Sequence, residues 1–264
     1  MLKMFVCAAA VAATGAAAVA GGNRIEIVGG QTSVLLDTET LAAAASLTLS
    51  GVSDGVIAPG AIEGSVAFSI NGRNAGAPLF PTTFAYNAAD FFGTFHGAIE
   101  HEGSVLFNDG SVEVGNFRIG FDAGRVGALE GASGFFVEST VGIPAVLFDV
   151  ALTGAVPGSV VFSASGDLLV SPEFGGFLFD NGLSASNLAG ADVGDALIEG
   201  DAGCTGTDFD DRFGTNILDL IDFIDAWFDR APEADFDASG EADIHDLGLF
   251  IRVWLDCRSF RLRH

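Results

Sequence analysis

The sequence predicts a mainly β protein: a β-sandwich or barrel-like domain, followed by a small all-α module of two loop–helix units. Three observations predict it. Short β-prone runs recur through residues 22–200 between Gly, Asn and Asp turns. A segment of 23 residues is written twice near the C-terminus, at an offset of 27 positions. Between the two regions, residues 184–203 are rich in Gly, Ala and Asp, and read as a last strand at 196–199 and a linker at 200–203.

The β runs are 25–28, 45–49, 65–70, 91–99, 104–107, 111–121, 134–138, 145–152, 159–163, 167–170 and 177–179. Several alternate apolar with small or polar residues, as half-buried strands do. Val66, Phe68 and Ile70 fall on one face of such a run. Asn108-Asp109-Gly110 between two runs is a hairpin signal, because left-handed backbone suits those residue types. Many short strands with turn punctuation suit a sandwich or a barrel. One short helix is expected at 38–46, from its alanine run. The domain spans roughly 175 residues, an ordinary size for a single core.

In the repeat, 207–229 aligns with 234–256 without a gap. The identities include Asp208/Asp235, Phe209/Phe236, Asp210/Asp237, Asp219/Asp246, Leu220/Leu247, Phe223/Phe250, Ile224/Ile251 and Trp227/Trp254. An EF-hand-type loop offers oxygen ligands at positions 1, 3, 5, 7, 9 and 12, with Gly at 6 for the sharp turn. The second copy places Asp235, Asp237, Ser239, Asp243 and Asp246 at positions 1, 3, 5, 9 and 12. Gly240 stands at 6, and Glu241 at 7 offers its carbonyl. The ion expected there is Ca²⁺, a hard cation that takes six to eight oxygens. The first copy keeps Asp208, Asp210, Asn216 and Asp219 at positions 1, 3, 9 and 12. Arg212 and Phe213 replace the ligand at 5 and the Gly at 6, so a weaker site is expected. After each loop, Leu220, Phe223, Ile224 and Trp227, and then Leu247, Phe250, Ile251 and Trp254, recur at helical spacing. These two stripes are expected to pack on each other or to face a partner.

A duplicated D-x-D loop, Asp at position 12, a following helix without a preceding one, and Cys204 and Cys257 at the ends together resemble a dockerin. The similarity is to the cysteine-bracketed "GC-type" form of secreted bacterial proteins, and it covers 204–257. It implies calcium-dependent folding and docking onto a cohesin-type protein domain. The β region is similar only to uncharacterised exported bacterial domains, which imply no activity.

Residues 1–20 read as a secretory signal peptide. Lys3 supplies the positive start, an Ala-rich apolar run follows, and Ala18-Val19-Ala20 is a small-residue cleavage site. No transmembrane anchor is expected, because a span needs about 20 strongly apolar residues. Export leaves Cys204 and Cys257 and permits a disulfide between them. Such a link would stabilise the module by roughly 4 kcal/mol in the chain-entropy view.

The net charge is −24, from 11 basic and 35 acidic residues. Lys3 is the only lysine. Nucleic acid is therefore excluded as an expected partner, since its phosphates demand a basic surface. The 258–264 tail is locally basic and is expected to fray.

No motif marks catalysis. His96, Glu100, His101 and Glu102 form the densest polar cluster, with His96, Glu100 and Glu102 on one strand face and His101 opposite. Haem capture by His96, His101 or Tyr86 is a further reading of these residues. If the domain is an enzyme, glycoside hydrolysis by two carboxylates is the expected class. Glu100, Glu102, Glu113, Glu130, Glu138 and Glu173 are then the candidates, but sugar-stacking Trp and Tyr are nearly absent from the β region. The expected function is that of a secreted surface or extracellular-assembly protein. Its calcium module would dock a non-catalytic β domain onto a cohesin-type partner. The alternative is a docked polysaccharide-active or carbohydrate-binding domain.

Overall fold

A computed structural model describes residues 24–261, apart from 74, 159–160, 204–206, 208, 210–214 and 237–238. The first half supplies β1 (Arg24–Leu36), α1 (Thr38–Ala45), β2 (Leu49–Val52), β3 (Val66–Ile70), β4 (Ala85–Asn87), α2 (Phe91–Thr94), β5 (Ile99–Glu102) and β6 (Ser104–Phe107). The chain continues through β7 (Val112–Gly115), β8 (Arg118–Phe121), β9 (Phe135–Ser139), β10 (Val141–Gly142), β11 (Ala145–Pro157) and β12 (Val161–Val170). It ends with α3 (Pro172–Asp180), β13 (Asp192–Gly203), α4 (Ile217–Phe228) and α5 (Ile244–Arg261).

Eight strands close into an antiparallel barrel in the order β1-β3-β5-β8-β9-β11-β12-β13, and β13 returns to β1. The β1–β13 seam is long, running from Glu26↔Gly203 to Leu36↔Gly194. Closure satisfies the edge groups that an open sheet would leave unpaired. At Gly30 in this seam φ is +107°, and an added Cβ would stand 2.2 Å from the Glu199 carbonyl oxygen, so only glycine fits. The seam also corrects the expected boundary. β13 pairs through residues 200–203, where the sequence suggested a linker.

Strands β2, β6, β7 and β10 form a second, four-stranded sheet. The barrel strands feed it directly: β5 runs into β6 and β7 into β8, so the expected run 111–121 is two strands. The bends are at Gly103, with φ +114°, and Asn116, with φ +44°. They brace each other, Asn116 N donating to the Gly103 carbonyl at 2.8 Å. The β6–β7 hairpin carries the predicted turn, with Asn108 and Asp109 both left-handed at φ 53° and 56°.

Inward positions alternate along each strand. On β12, Phe162, Ala164, Leu168 and Val170 are buried. They join Ile27, Phe68, Ile99, Leu147 and a Phe84–Tyr86–Phe91–Phe162 aromatic group in one core. Two apolar cavities of about 60 and 40 Å³ remain inside.

Of the expected strands, 177–179 is wholly helical and 91–99 is helical in part. Residues 177–179 lie in α3, where Ser171 caps Phe174 N at 3.0 Å and Pro172 opens the first turn. Phe174 and Leu178, four apart, are its buried face. Residues 91–94 form α2, capped by Asp90. In both places apolar aromatic runs looked strand-like, and the local capping residues decided otherwise. Helix α1 falls where the alanine run placed it.

The helices α4 and α5 share a separate core. Phe223 and Phe250 stack face to face at 3.8 Å. Phe209 and Phe236, also equivalent in the repeat, meet both rings edge-on. Trp254 is buried, and Leu220, Trp227 and Leu247 pack at the margin. Helix α5 continues four residues beyond Cys257 to Arg261, so the tail starts as helix. Among the described residues no helix is long and apolar enough to cross a membrane. The expected signal peptide, Cys204 and the Cys257 side chain lie outside the described residues.

Candidate functional site

The second loop lies between a 3₁₀ turn, Pro232–Ala234, and α5. Gly240 adopts φ +101°, the left-handed turn that the sixth position of such a loop requires. Its N–H donates to Asp235 Oδ2 at 2.8 Å. The other oxygen, Asp235 Oδ1, is buried and has no hydrogen-bond partner among the described residues. A buried carboxylate oxygen left unpaired costs free energy unless a cation or donor meets it. Ser239 Oγ donates to the Glu241 carbonyl at 3.3 Å.

The two helix starts repeat the same pair of hydrogen bonds. Asn216 accepts from Leu218 N at 2.8 Å, and Asp243 accepts from His245 N at 2.7 Å. Asp219 Oδ2 accepts from Asn216 N at 2.6 Å, and Asp246 Oδ2 from Asp243 N at 2.7 Å. At α4 the pair is a capping box, with position 9 as the N-cap and position 12 as its reciprocal acceptor, and α5 repeats the two bonds just given. Asp219 and Asp246 are fully buried. The two copies also hold each other. Trp227 Nε1 donates to the carbonyl of Asp243, and Trp254 Nε1 donates to the carbonyl of Asn216 at 2.7 Å. Each indole therefore reaches from its own helix to the ninth position of the opposite loop. Sequence reasoning placed both tryptophans in the core and missed this exchange; the identical Trp at the same repeat offset was the available signal.

Of the expected calcium ligands, Asp235, Ser239, Glu241, Asp243 and Asp246 stand around the second loop, and Asn216 and Asp219 at the end of the first. Asp237, Asp208 and Asp210 lie outside the described residues, as do Arg212 and Phe213. Among the described residues, no three His, Cys, Asp or Glu side chains converge as a metal cluster. Leu220, Phe223, Trp227, Leu247, Phe250 and Trp254 belong to the helix–helix core, while Ile224 and Ile251 are half-buried beside it. A cleft of about 720 Å³ opens at the end of α4 beside the second loop, lined by Trp227, Phe228, Arg230, Asp235, Asp243 and Ile244.

The polar cluster on the barrel disperses. His101 points into the barrel, where Nδ1 donates to the Phe117 carbonyl at 2.8 Å and Nε2 accepts from Thr32 Oγ1 at 2.7 Å. Burial pulls its pKa down to about 4, opposed by the Phe117 bond. Glu100 and Glu102 share the outer face of β5, but Glu100 is buried and Glu102 is exposed. Burial raises the Glu100 pKa, Arg118 at 3.4 Å lowers it, and Glu138 raises it further. Glu100, Arg118 and Glu138 are direct cross-strand neighbours on β5, β8 and β9. This row is a charge ladder on a sheet face, with the arginine between the carboxylates. His96 lies beyond the bend at Gly97, φ +81°, and its ring meets the Thr94 carbonyl. Tyr86 is buried, its hydroxyl donating to the Gly158 carbonyl at 2.6 Å, and burial pushes its pKa up to about 12. Glu173 meets Arg125 at the start of α3. Tyr86 and His101 are thus committed to separate internal partners.

No family model matches the chain. No curated protein matches it either. Among solved structures, the C-terminal domain of HtaA from Corynebacterium glutamicum aligns at 14% identity with a TM-score of 0.44, over 68% of this chain and 99% of that one.

Proposed function

We propose that this protein is a secreted surface or extracellular-assembly component. In this reading the loop–helix pair is a calcium-binding, dockerin-like module that docks a non-catalytic β-barrel onto a cohesin-type partner. The carrying observation is Asp235 Oδ1, a buried carboxylate oxygen without a partner among the described residues, at the first position of a loop that turns at Gly240. Asp235, Asp237, Ser239, the Glu241 carbonyl, Asp243 and Asp246 would hold the ion. Asp208, Asp210, Asn216 and Asp219 would hold a weaker second one. Bound Ca²⁺ would supply positive charge that lets these carboxylates approach each other. The protein's own contribution is to bind position 12 back to the backbone of position 9 in each copy, and to tie each loop to the opposite helix through Trp227 and Trp254. Disulfide closure between Cys204 and Cys257 belongs to the same reading.

The test is a CaCl₂ titration of the mature protein, followed by tryptophan emission. Trp227 and Trp254 are the only tryptophans, so the signal comes from this module alone. A saturable change is expected, weakened at least ~100-fold by Asp235→Ala, which removes the first-position ligand. Binding to purified cohesin-type domains is expected to require the same calcium. A flat titration with native emission in chelator would sink the calcium reading. Calcium binding without any cohesin-type partner would sink the docking half alone.

A further inference from the structure

Resting on that docking reading, we infer that the module presents one docking face, not two: the outward stripe of α4. The partner that fits it is a protein surface with a shallow apolar groove bordered on one side by Lys and Arg.

Helix α4 has more apolar surface than its own core uses. Ile217, Ile221, Ile224 and Phe228 recur at i, i+4, i+7 and i+11, a stripe distinct from the buried row of Leu220, Phe223 and Trp227. Ile217 and Ile221 are each 47% exposed and Phe228 is 72% exposed. Leu218 stands beside them at 53%. Scattered exposed apolar residues are ordinary, whereas a contiguous row marks an interaction surface. The row ends in the cleft beside the second loop, where Phe228 and Ile244 both contribute to the lining. A ligand side chain could enter there next to the aromatic ring.

Charge selects the partner. Asp222, Asp225 and Asp229 are exposed and form a second row along the outer border of the stripe. Helix α4 contains no basic residue, and Arg230 lies past its end in the cleft. A second copy of this chain would bring carboxylates against carboxylates, with −24 on each molecule. A basic rim on an apolar groove is the complement instead, and it would steer association.

The other helix lacks the same face. The equivalents of Ile217, Leu218, Ile221 and Phe228 are Ile244, His245, Gly248 and Leu255. Gly248 leaves a gap at the middle of the stripe, and an added Cβ there would touch nothing, so packing does not impose it. Arg252 stands where α4 has Asp225, and Leu249 where it has Asp222. A groove shaped for α4 would meet a hole and a like charge on α5.

The experiment uses the mature full-length protein in CaCl₂ and purified cohesin-type domains, assayed one by one by calorimetry. For any domain that binds, Ile221→Asp is expected to weaken Kd at least 100-fold, and Leu255→Asp less than 3-fold. Asp222→Lys with Asp225→Lys is expected to weaken it at least 10-fold and to flatten its salt dependence. Calcium-dependent tryptophan emission certifies that each variant is folded. A folded Ile221→Asp variant that binds unchanged overturns the inference while leaving docking intact, as does equal loss from Leu255→Asp. A salt-independent wild-type Kd overturns the basic rim. Absence of binding to every domain, with the calcium response preserved, overturns the docking reading and this face with it.

Discussion

His101 is the residue whose chemistry the barrel most alters. Both ring nitrogens are matched to fixed partners, Thr32 Oγ1 and the Phe117 carbonyl, in a site that excludes water. A proton added to Nε2 would meet a hydroxyl that must then turn around. The folded pKa of about 4 lies below the ordinary value of 6.5, so the neutral ring is what folding favours. The sign follows from proton linkage: this contribution is complete above pH 6.5 and is lost as pH falls toward 4. At about 1.4 kcal/mol per unit, the loss is roughly 3 kcal/mol. Urea unfolding of the barrel, read by far-ultraviolet circular dichroism, should therefore weaken between pH 6.5 and 4. His101→Gln should remove that part of the slope, and an identical slope in the variant would refute the assignment. The histidine itself was visible in the sequence, and so was its place on the face opposite Glu100 and Glu102. Its role was not, because Thr32 comes from β1 and Phe117 from the bend between β7 and β8, neither of them local to His101 in the chain.

Among the elements, the α3 junction and the α4–α5 pair make opposed predictions. Arg125 reaches from the β8–β9 connection to Asp149 on β11 at 3.0 Å and to Glu173 in the first turn of α3. Asp149 is almost wholly buried. Arg125→Met should strand that carboxylate and cost about 3–5 kcal/mol, while adding Asp149→Leu should recover much of the loss. Denaturant midpoints of the barrel transition check both. In the helix pair, Phe223→Ala or Phe250→Ala opens a stacked contact and should cost about 3–5 kcal/mol. This loss should show in the tryptophan-monitored transition and leave the barrel midpoint unchanged. The α4 and α5 positions were legible because a 3.6-residue period needs no tertiary information. Helices α2 and α3 were misread as strands because Phe-rich runs satisfy either period, and capping by Asp90 and Ser171 decided between them.

At the scale of the whole molecule, the described residues form two cores with no residue in common, one in the barrel and one in the helix pair. Two separable unfolding transitions are expected, and on the calcium reading proposed above chelator should lower the midpoint of the tryptophan-monitored one alone. A single coincident transition under all conditions would argue that the cores are coupled. The acidic surface, with −24 overall, should keep the protein monomeric and make binding to a basic-rimmed partner weaken with salt.

The sequence by itself determined the β-rich class, the Asn108-Asp109-Gly110 turn, the duplicated loops and the two amphipathic helices. Each of these rests on local spacing or on residues with unusual backbone freedom, so neighbours in the chain suffice to read it. Only the tertiary structure decided that the β domain closes as a barrel, since the β1–β13 seam joins strands more than 150 residues apart. It also decided that Gly103 and Asn116 turn strands out into a second sheet, and that Trp227 and Trp254 each close the other copy's loop. Long-range pairing and side-chain exchange depend on which surfaces meet, and a linear pattern does not contain that information.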